Sequence, residues 1–238
     1  MKKFLAVIVI LLVIVAVIGG IFLPRTVESI VEQQIVNATS ATAVDVSLTA
    51  KPNFRIALGE IDRVHATAAA GRIGEIDFKN LTLDGEKIRL DVMELLFPNK
   101  DLSPQLRTQR ILKHADKIEL RGIITEDELK KFIADKDDNF ENLQVSIKPE
   151  GAEASAKAKF FGRTVDVEIA GNFLVQNGDI YFHMTRLNSN SILSRVNADT
   201  FLADIKVLES ANLPLGMKFE SVEMREGEAV ITAISTVQ

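Results

Sequence analysis

From Ala43 onward, apolar side chains recur at every second residue through most of the chain, and this spacing is the strongest constraint on its fold. The alternation runs through Ile76/Phe78, Leu81/Leu83, Ile88/Leu90/Val92, Ile118/Leu120, Leu143/Val145/Ile147, Val165/Val167/Ile169, Phe173/Val175, Ile180/Phe182/Met184, Met217/Phe219 and Ile231/Ala233. A period of two places successive side chains on opposite faces of a strand, so each segment has one oily face and one wet face. Asp84-Gly85, Glu150-Gly151, Phe161-Gly162, Asn177-Gly178-Asp179 and Glu226-Gly227 fall between segments. Asx-Gly pairs tolerate the positive dihedrals of tight hairpins, which predicts consecutive strands paired antiparallel.

Helices are few. Pro24 opens a helical pattern in which Val27, Ile30, Val31 and Ile35 share one face. Thr125-Glu126-Asp127-Glu128 reads as a capping box, with the Thr125 hydroxyl capping the Glu128 amide and Glu128 reaching back; Leu129, Phe132 and Ile133 follow as an apolar face that ends near Asp135. A further helical stretch, broken near Asn197 to Asp199, is expected between Ser191 and Leu208, and Pro98 to Gln109 is read as a loop or short helix. About ten one-sided strands cannot be covered by three modest helices, and every Å² of apolar surface left wet forfeits about 25 cal/mol. The sheet is therefore expected to bend round on itself, enclosing a helix, or to leave an apolar interior for something else to fill. Alternation alone does not separate a solid core from a ligand cavity. Met93, Met184, Met217 and Met224 suit either, since a flexible thioether packs against variable partners as well as into a core.

The compartment is read from the first residues. Phe4 to Leu23 is an uncharged apolar run of twenty residues, and at about 1.5 Å per residue it spans roughly 30 Å, the thickness of a bilayer core. Lys2 and Lys3 precede it, which keeps the N-terminus cytoplasmic and sends the rest across. An uncleaved anchor is favoured over a cleaved signal peptide, because Val17-Ile18-Gly19 is a poor cleavage site. The expected organisation is a membrane anchor over residues 1–23 and an extracytoplasmic domain over 24–238, in the periplasm or on the outer face of the cell membrane.

Several chemistries are disfavoured. Of the net charge of −5, the part from Pro24 onward carries −7 once Lys2 and Lys3 are set aside, which argues against nucleic acid. There is no cysteine, so disulfides, thiolate metal sites and thiol nucleophiles are excluded. His65, His114 and His183 show no zinc spacing, and the chain has no Trp and one Tyr for stacking on sugars or bases. GxSxG, HExxH, GxxxxGK[ST] and GxGxxG do not occur. The carboxylates at 126–128 suit a helix start, and those at 135–138 lack the ligand spacing and glycine of a calcium loop. Lys157, Lys159 and Arg163 around Phe160-Phe161 read as a solvated hairpin tip. Neither an enzyme nor a cofactor is expected.

Leu58-Gly59-Glu60-Ile61-Asp62-Arg63-Val64, Ile124-Thr125-Glu126-Asp127-Glu128-Leu129, and Leu213-Pro214-Leu215-Gly216-Met217 with Val222, in that order, give the chain a resemblance. It resembles the LmeA-like phospholipid-binding envelope proteins of bacteria, from about Pro24 to the C-terminus. The resemblance implies an α+β, β-rich fold: a strongly curved antiparallel sheet wrapping a few helices around an apolar groove for acyl chains, as in tubular lipid-binding proteins. It implies phospholipid or another envelope lipid as partner, no catalysis and no cofactor. Groove candidates, chosen by alternation and helix face, are Leu83, Ile88, Leu90, Leu129, Phe132, Ile133, Val167, Ile169, Phe182, Met184, Met217 and Phe219. The alternative function is a non-catalytic scaffold of the cell envelope that holds partner proteins through exposed sheet edges.

Overall fold

A computed structural model describes residues 28–29, 32–33, 36, 40–97, 110–136, 140–160, 163–189 and 204–237. Residues 4–23 and 98–109 lie outside the described residues, as does most of the expected 191–208 helix; of the helix after Pro24, Glu28, Ser29, Glu32, Gln33 and Val36 are described and helical. Among the described residues no helix is long and apolar enough to cross a membrane. In chain order the elements are β1 (Thr42–Thr49), β2 (Glu60–Ile73), β3 (Ile76–Phe78), β4 (Asn80–Leu90), α1 (Val92–Leu96), β5 (Leu112–Thr125), α2 (Glu126–Lys136), β6 (Phe140–Lys148), β7 (Gly151–Phe160), β8 (Arg163–Gln176), β9 (Asp179–Ser189), β10 (Asp204–Leu208), β11 (Lys218–Arg225) and β12 (Glu228–Val237). Short 3₁₀ turns occupy Asn53–Leu58, Ser210–Asn212 and Pro214–Gly216.

The β-rich, antiparallel expectation holds, but the strands divide between two sheets. One has seven strands in the order β1-β2-β4-β5-β12-β11, with β3 paired to β2; the other has five, β10-β9-β8-β7-β6. The division shows in the chain order: β6 to β10 run consecutively through the second sheet, while β11 and β12 return to the first. The chain also separates into two compact units, and it passes between them within β2, β4, β5 and β12.

The first unit holds Met1–Ala68, Thr82–Glu119 and Ser235–Gln238. Ile56, Ile61, Val64, Ala66, Ile88, Leu112, Ala115 and Ile118 are buried in it. Two sequence expectations change here. Asp84-Gly85 is not a hairpin turn but part of β4, where Gly85 allows close packing: a Cβ there would come within 2.6 Å of Ile88 Cδ1. The Ile88/Leu90/Val92 strand stops at Leu90, because the Asp91 carboxylate accepts from the Met93 and Glu94 amides, both at 3.1 Å, and so caps α1.

The second unit holds Ala69–Leu81 and Leu120–Ile234. Three predicted turns form within it. Lys148 faces Gly151, Gln176 faces Asp179 across Asn177-Gly178 (φ 55° and 87°), and Arg225 faces Glu228 across Glu226-Gly227. Two successive positive φ values match the twist of antiparallel strands, which is why Asn-Gly works there. The helix α2 forms as expected and runs one residue further, to Lys136. At its start, however, the Glu128 carboxylate takes the Thr125 N–H at 2.8 Å and the Thr125 hydroxyl as well, so the hydroxyl donates to the carboxylate. Residues 204–208 form β10 instead of the end of a helix; Ile205 pairs with Phe182 and Leu208 with Ile180, and the strand ladder overrides a partial helical pattern.

Candidate functional site

The five-stranded sheet has one apolar face, and its register defines that face. Val145, Ala154, Ile169 and Leu187 form one continuous row across β6, β7, β8 and β9, and Ala156, Val167 and Ser189 form the next. With strands about 4.8 Å apart, the four-strand row is roughly 14 Å wide. On β7 this face is built from Ala152, Ala154, Ala156 and Ala158. An alanine reaches no further than Cβ, so β7 is the floor of a shallow trough between Val145 on one side and Val167 and Ile169 on the other. Ala152 and Ala158 are buried at its ends (4 % and 1 % exposed), whereas Ala154, Ala156, Val145, Val167, Ile169 and Leu187 between them are only half-buried. The opposite face carries Glu153, Ser155, Lys157 and Lys159. Lys157 and Lys159 therefore point away from the trough, and the Lys159 ammonium sits 2.6 Å from Glu141, whose carboxyl it holds below its usual range.

Further along the same face the sheet is packed. Ile147, Phe173, Ile180 and Leu208 close on Ile76, Ile124, Leu129, Val222, Ala229 and Ile231, leaving a cavity of about 10 Å³. That is the size of one water, not of a hydrocarbon tail. Gly171 lets β8 and β9 approach here: an added Cβ would lie 2.3 Å from the His183 carbonyl oxygen and 2.6 Å from the Phe182 ring. Phe182 meets Phe173 edge-on, with ring centroids 5.3 Å apart.

The twelve candidate residues divide between the two units. Leu83, Ile88 and Leu90 belong to the first unit, Ile88 buried and the other two half-buried. In the second unit Val167 and Ile169 are half-buried walls of the trough, while Phe182, half-buried, and Met184, buried, lie further along that face. Leu129 is buried at the packed end, whereas Phe132 and Ile133 are half-buried on α2, and the Lys136 ammonium lies 5.5 Å from the Phe132 ring centre. Met217 and Phe219 are buried, 1 % and 4 % exposed. Sequence reasoning missed Val145, Ala154, Ala156 and Leu187. The run Ala152 to Ala158 was the available signal, since alanine at every second position of a strand marks a low stripe on one face.

The first unit has an open polar cleft of about 820 Å³, bounded among others by Lys51, Arg55, Glu60, Asp62, Arg63 and Arg89. Its charges largely answer each other: the Arg55 guanidinium donates to Glu60 at 2.9 Å and to Asp62 at 3.0 Å, and Arg89 lies 3.8 Å from Glu60. One ring nitrogen of each histidine meets a carboxylate, His65 with Asp84 and His183 with Asp204 at 2.7 Å, and His114 with Asp116 at 2.9 Å. These are exposed pairs. No group of three His, Cys, Asp or Glu side chains able to hold a metal occurs among the described residues.

Neither curated proteins nor solved structures give a match to the chain. The family profile described as LmeA-like phospholipid-binding matches residues 18–234, nearly the whole length. A β-rich antiparallel chain with an incompletely buried apolar trough, matched over that span, belongs to the LmeA-like phospholipid-binding family.

Proposed function

We propose that this protein is a membrane-tethered, extracytoplasmic binder of phospholipid or another envelope lipid, which it carries or presents during envelope construction. The observation that carries this reading is the incompletely buried apolar trough at Val145, Ala154, Ala156, Val167, Ile169 and Leu187. A folded sheet that keeps such a surface partly wet gains free energy when hydrocarbon covers it. In this reading an acyl chain lies on the sheet face along β7 and does not have to enter the closed interior. Family membership supports lipid as the ligand. The run Phe4 to Leu23 behind Lys2 and Lys3 supports a tether with the folded part on the far side of the bilayer. No catalytic step belongs to this reading.

The test is extraction and native mass spectrometry of the full chain, followed by titration with a fluorescent phospholipid. Copurified or saturably bound phospholipid is expected. A lipid-free protein that takes up none would overturn the proposal. One observation favours a scaffold instead: the closed interior between Ile147 and Ile231. A stoichiometric protein partner, with interior substitutions changing stability alone, is the result that reading requires.

A further inference from the structure

Among the described residues the four most exposed large apolar side chains are Phe97 (72 %), Met93 (66 %), Leu58 (65 %) and Phe54 (52 %). All four belong to the first unit and sit on two segments that touch. Phe54 and Leu58 are on the 3₁₀ turn Asn53–Leu58, while Met93 lies on α1 and Phe97 closes it, its N–H donating to the Met93 carbonyl at 2.9 Å. The Leu90 N–H donates to the Gly59 carbonyl at 2.7 Å, and a Cβ on Gly59 would lie 3.0 Å from Val92 Cγ2. The turn between β1 and β2 thus abuts the helix between β4 and β5. Four wet, bulky apolar groups on two adjoining connections are not accounted for by packing within the unit.

The position of the N-terminal run relative to this knob identifies what covers it. The Glu28 carboxylate accepts the Leu48 N–H at 3.2 Å, which holds residue 28 beside the end of β1, one residue before its last and five before the turn that carries Phe54. Four residues, Pro24 to Val27, separate Leu23, the last of the apolar run, from Glu28, and the five Cα–Cα steps between them span at most about 18 Å. A run embedded in a bilayer therefore brings the membrane surface to the end of the unit that displays the four side chains. Of the described cations nearby, Arg55 is matched with Glu60 at 2.9 Å, Arg110 with Glu94 at 3.5 Å and Lys113 with Asp91 at 3.6 Å, and the four displayed side chains give the knob a mainly apolar character.

We propose that Phe54, Leu58, Met93 and Phe97 form a membrane-docking tip that seats in the interface of the bilayer in which residues 4–23 are anchored. This rests on the tether part of the proposed function and adds the surface that orients the first unit on the membrane. Apolar burial drives the contact, so it needs no anionic lipid and survives high salt.

The chain has no cysteine, so a single introduced thiol can report depth. Full-length Phe97→Cys, Leu58→Cys and, as reference, His65→Cys carry an environment-sensitive fluorophore and are reconstituted in phosphatidylcholine vesicles with or without doxyl-labelled lipid. His65 lies five residues along β2 from Glu60, roughly 17 Å from its start. The expected result is a blue shift and doxyl quenching at 58 and 97 but not at 65, unchanged at high salt. Protein that floats with vesicles while the probes at 58 and 97 stay solvent-like overturns the tip and leaves the tether standing. Protein that does not float with vesicles overturns the tether and, with it, this inference. Probes that are shielded yet insensitive to doxyl lipid point to a protein partner and overturn the proposal.

Discussion

The trough makes a quantitative prediction through Ile169 and Leu187, register partners on β8 and β9 that are both half-buried. Full burial of such a side chain is worth about 1.5–3 kcal/mol, so the minor part still wet, under about a third of each side chain, offers a ligand about 0.5 kcal/mol at each position. Replacing both by serine removes about 1 kcal/mol of lipid binding, roughly a fivefold loss of affinity. The larger part already buried costs the fold about 3 kcal/mol, which a domain of this size survives. Ile147 is the comparison, because it is 0 % exposed and lines the packed end of the same face. Ile147→Ala is expected to cost the fold about 3 kcal/mol while leaving the affinity of folded molecules within about twofold. Fluorescent phospholipid titration measures the first quantity and urea unfolding the second. If the Ile169→Ser/Leu187→Ser protein is folded and binds as tightly as the parent, lipid does not lie in the trough. If Ile147→Ala loses binding while folded, the interior opens for lipid and the reasoning about a surface site fails.

Gly171→Ala is expected to cost about 2 kcal/mol in urea unfolding, because the new Cβ meets a carbonyl oxygen on β9 at 2.3 Å that cannot move without breaking the strand pairing. Glu128→Ala, which removes the acceptor for the Thr125 N–H, is expected to lower stability by about 1 kcal/mol and to fray the start of α2. The third concerns Asp77, whose carboxyl is pulled down to about 2, first by the Arg72 guanidinium and then by the Lys131 ammonium, each at 2.5 Å. A depressed carboxyl stabilises the fold above its unfolded value, near pH 4, and that contribution is lost as pH falls to about 2. With both cations half-exposed it amounts to about 1 kcal/mol after screening. Asp77→Asn should therefore unfold more easily than the parent at pH 7, and the difference should vanish near pH 2; an equal gap at both pH values would rule out the ionic origin.

The alternation after Ala43 was enough to determine a β-rich chain, because a period of two has no other stable reading. Asn177-Gly178 and Glu226-Gly227 announced their hairpins, since the required dihedrals are local, and Thr125 to Glu128 announced α2 for the same reason. Asp84-Gly85 misled: whether a glycine serves a turn or a tight contact depends on Ile88 beside it, which no dipeptide records. Asp91 likewise ended a strand that the spacing of Ile88, Leu90 and Val92 had extended.

The sequence by itself established which residues are apolar, that most of them alternate along strands, and a twenty-residue run able to span a bilayer. Tertiary structure decided how the strands divide between two sheets. It also decided which part of one oily face is fully covered by neighbours and which part stays incompletely buried. Leu129, Met217 and Phe219 proved buried, while Val167 and Ile169 remained half-wet beside alanines that had drawn no notice. The reason is that alternation reports only that a side chain points to one side of a sheet. What lies on that side is set by segments far away in the chain.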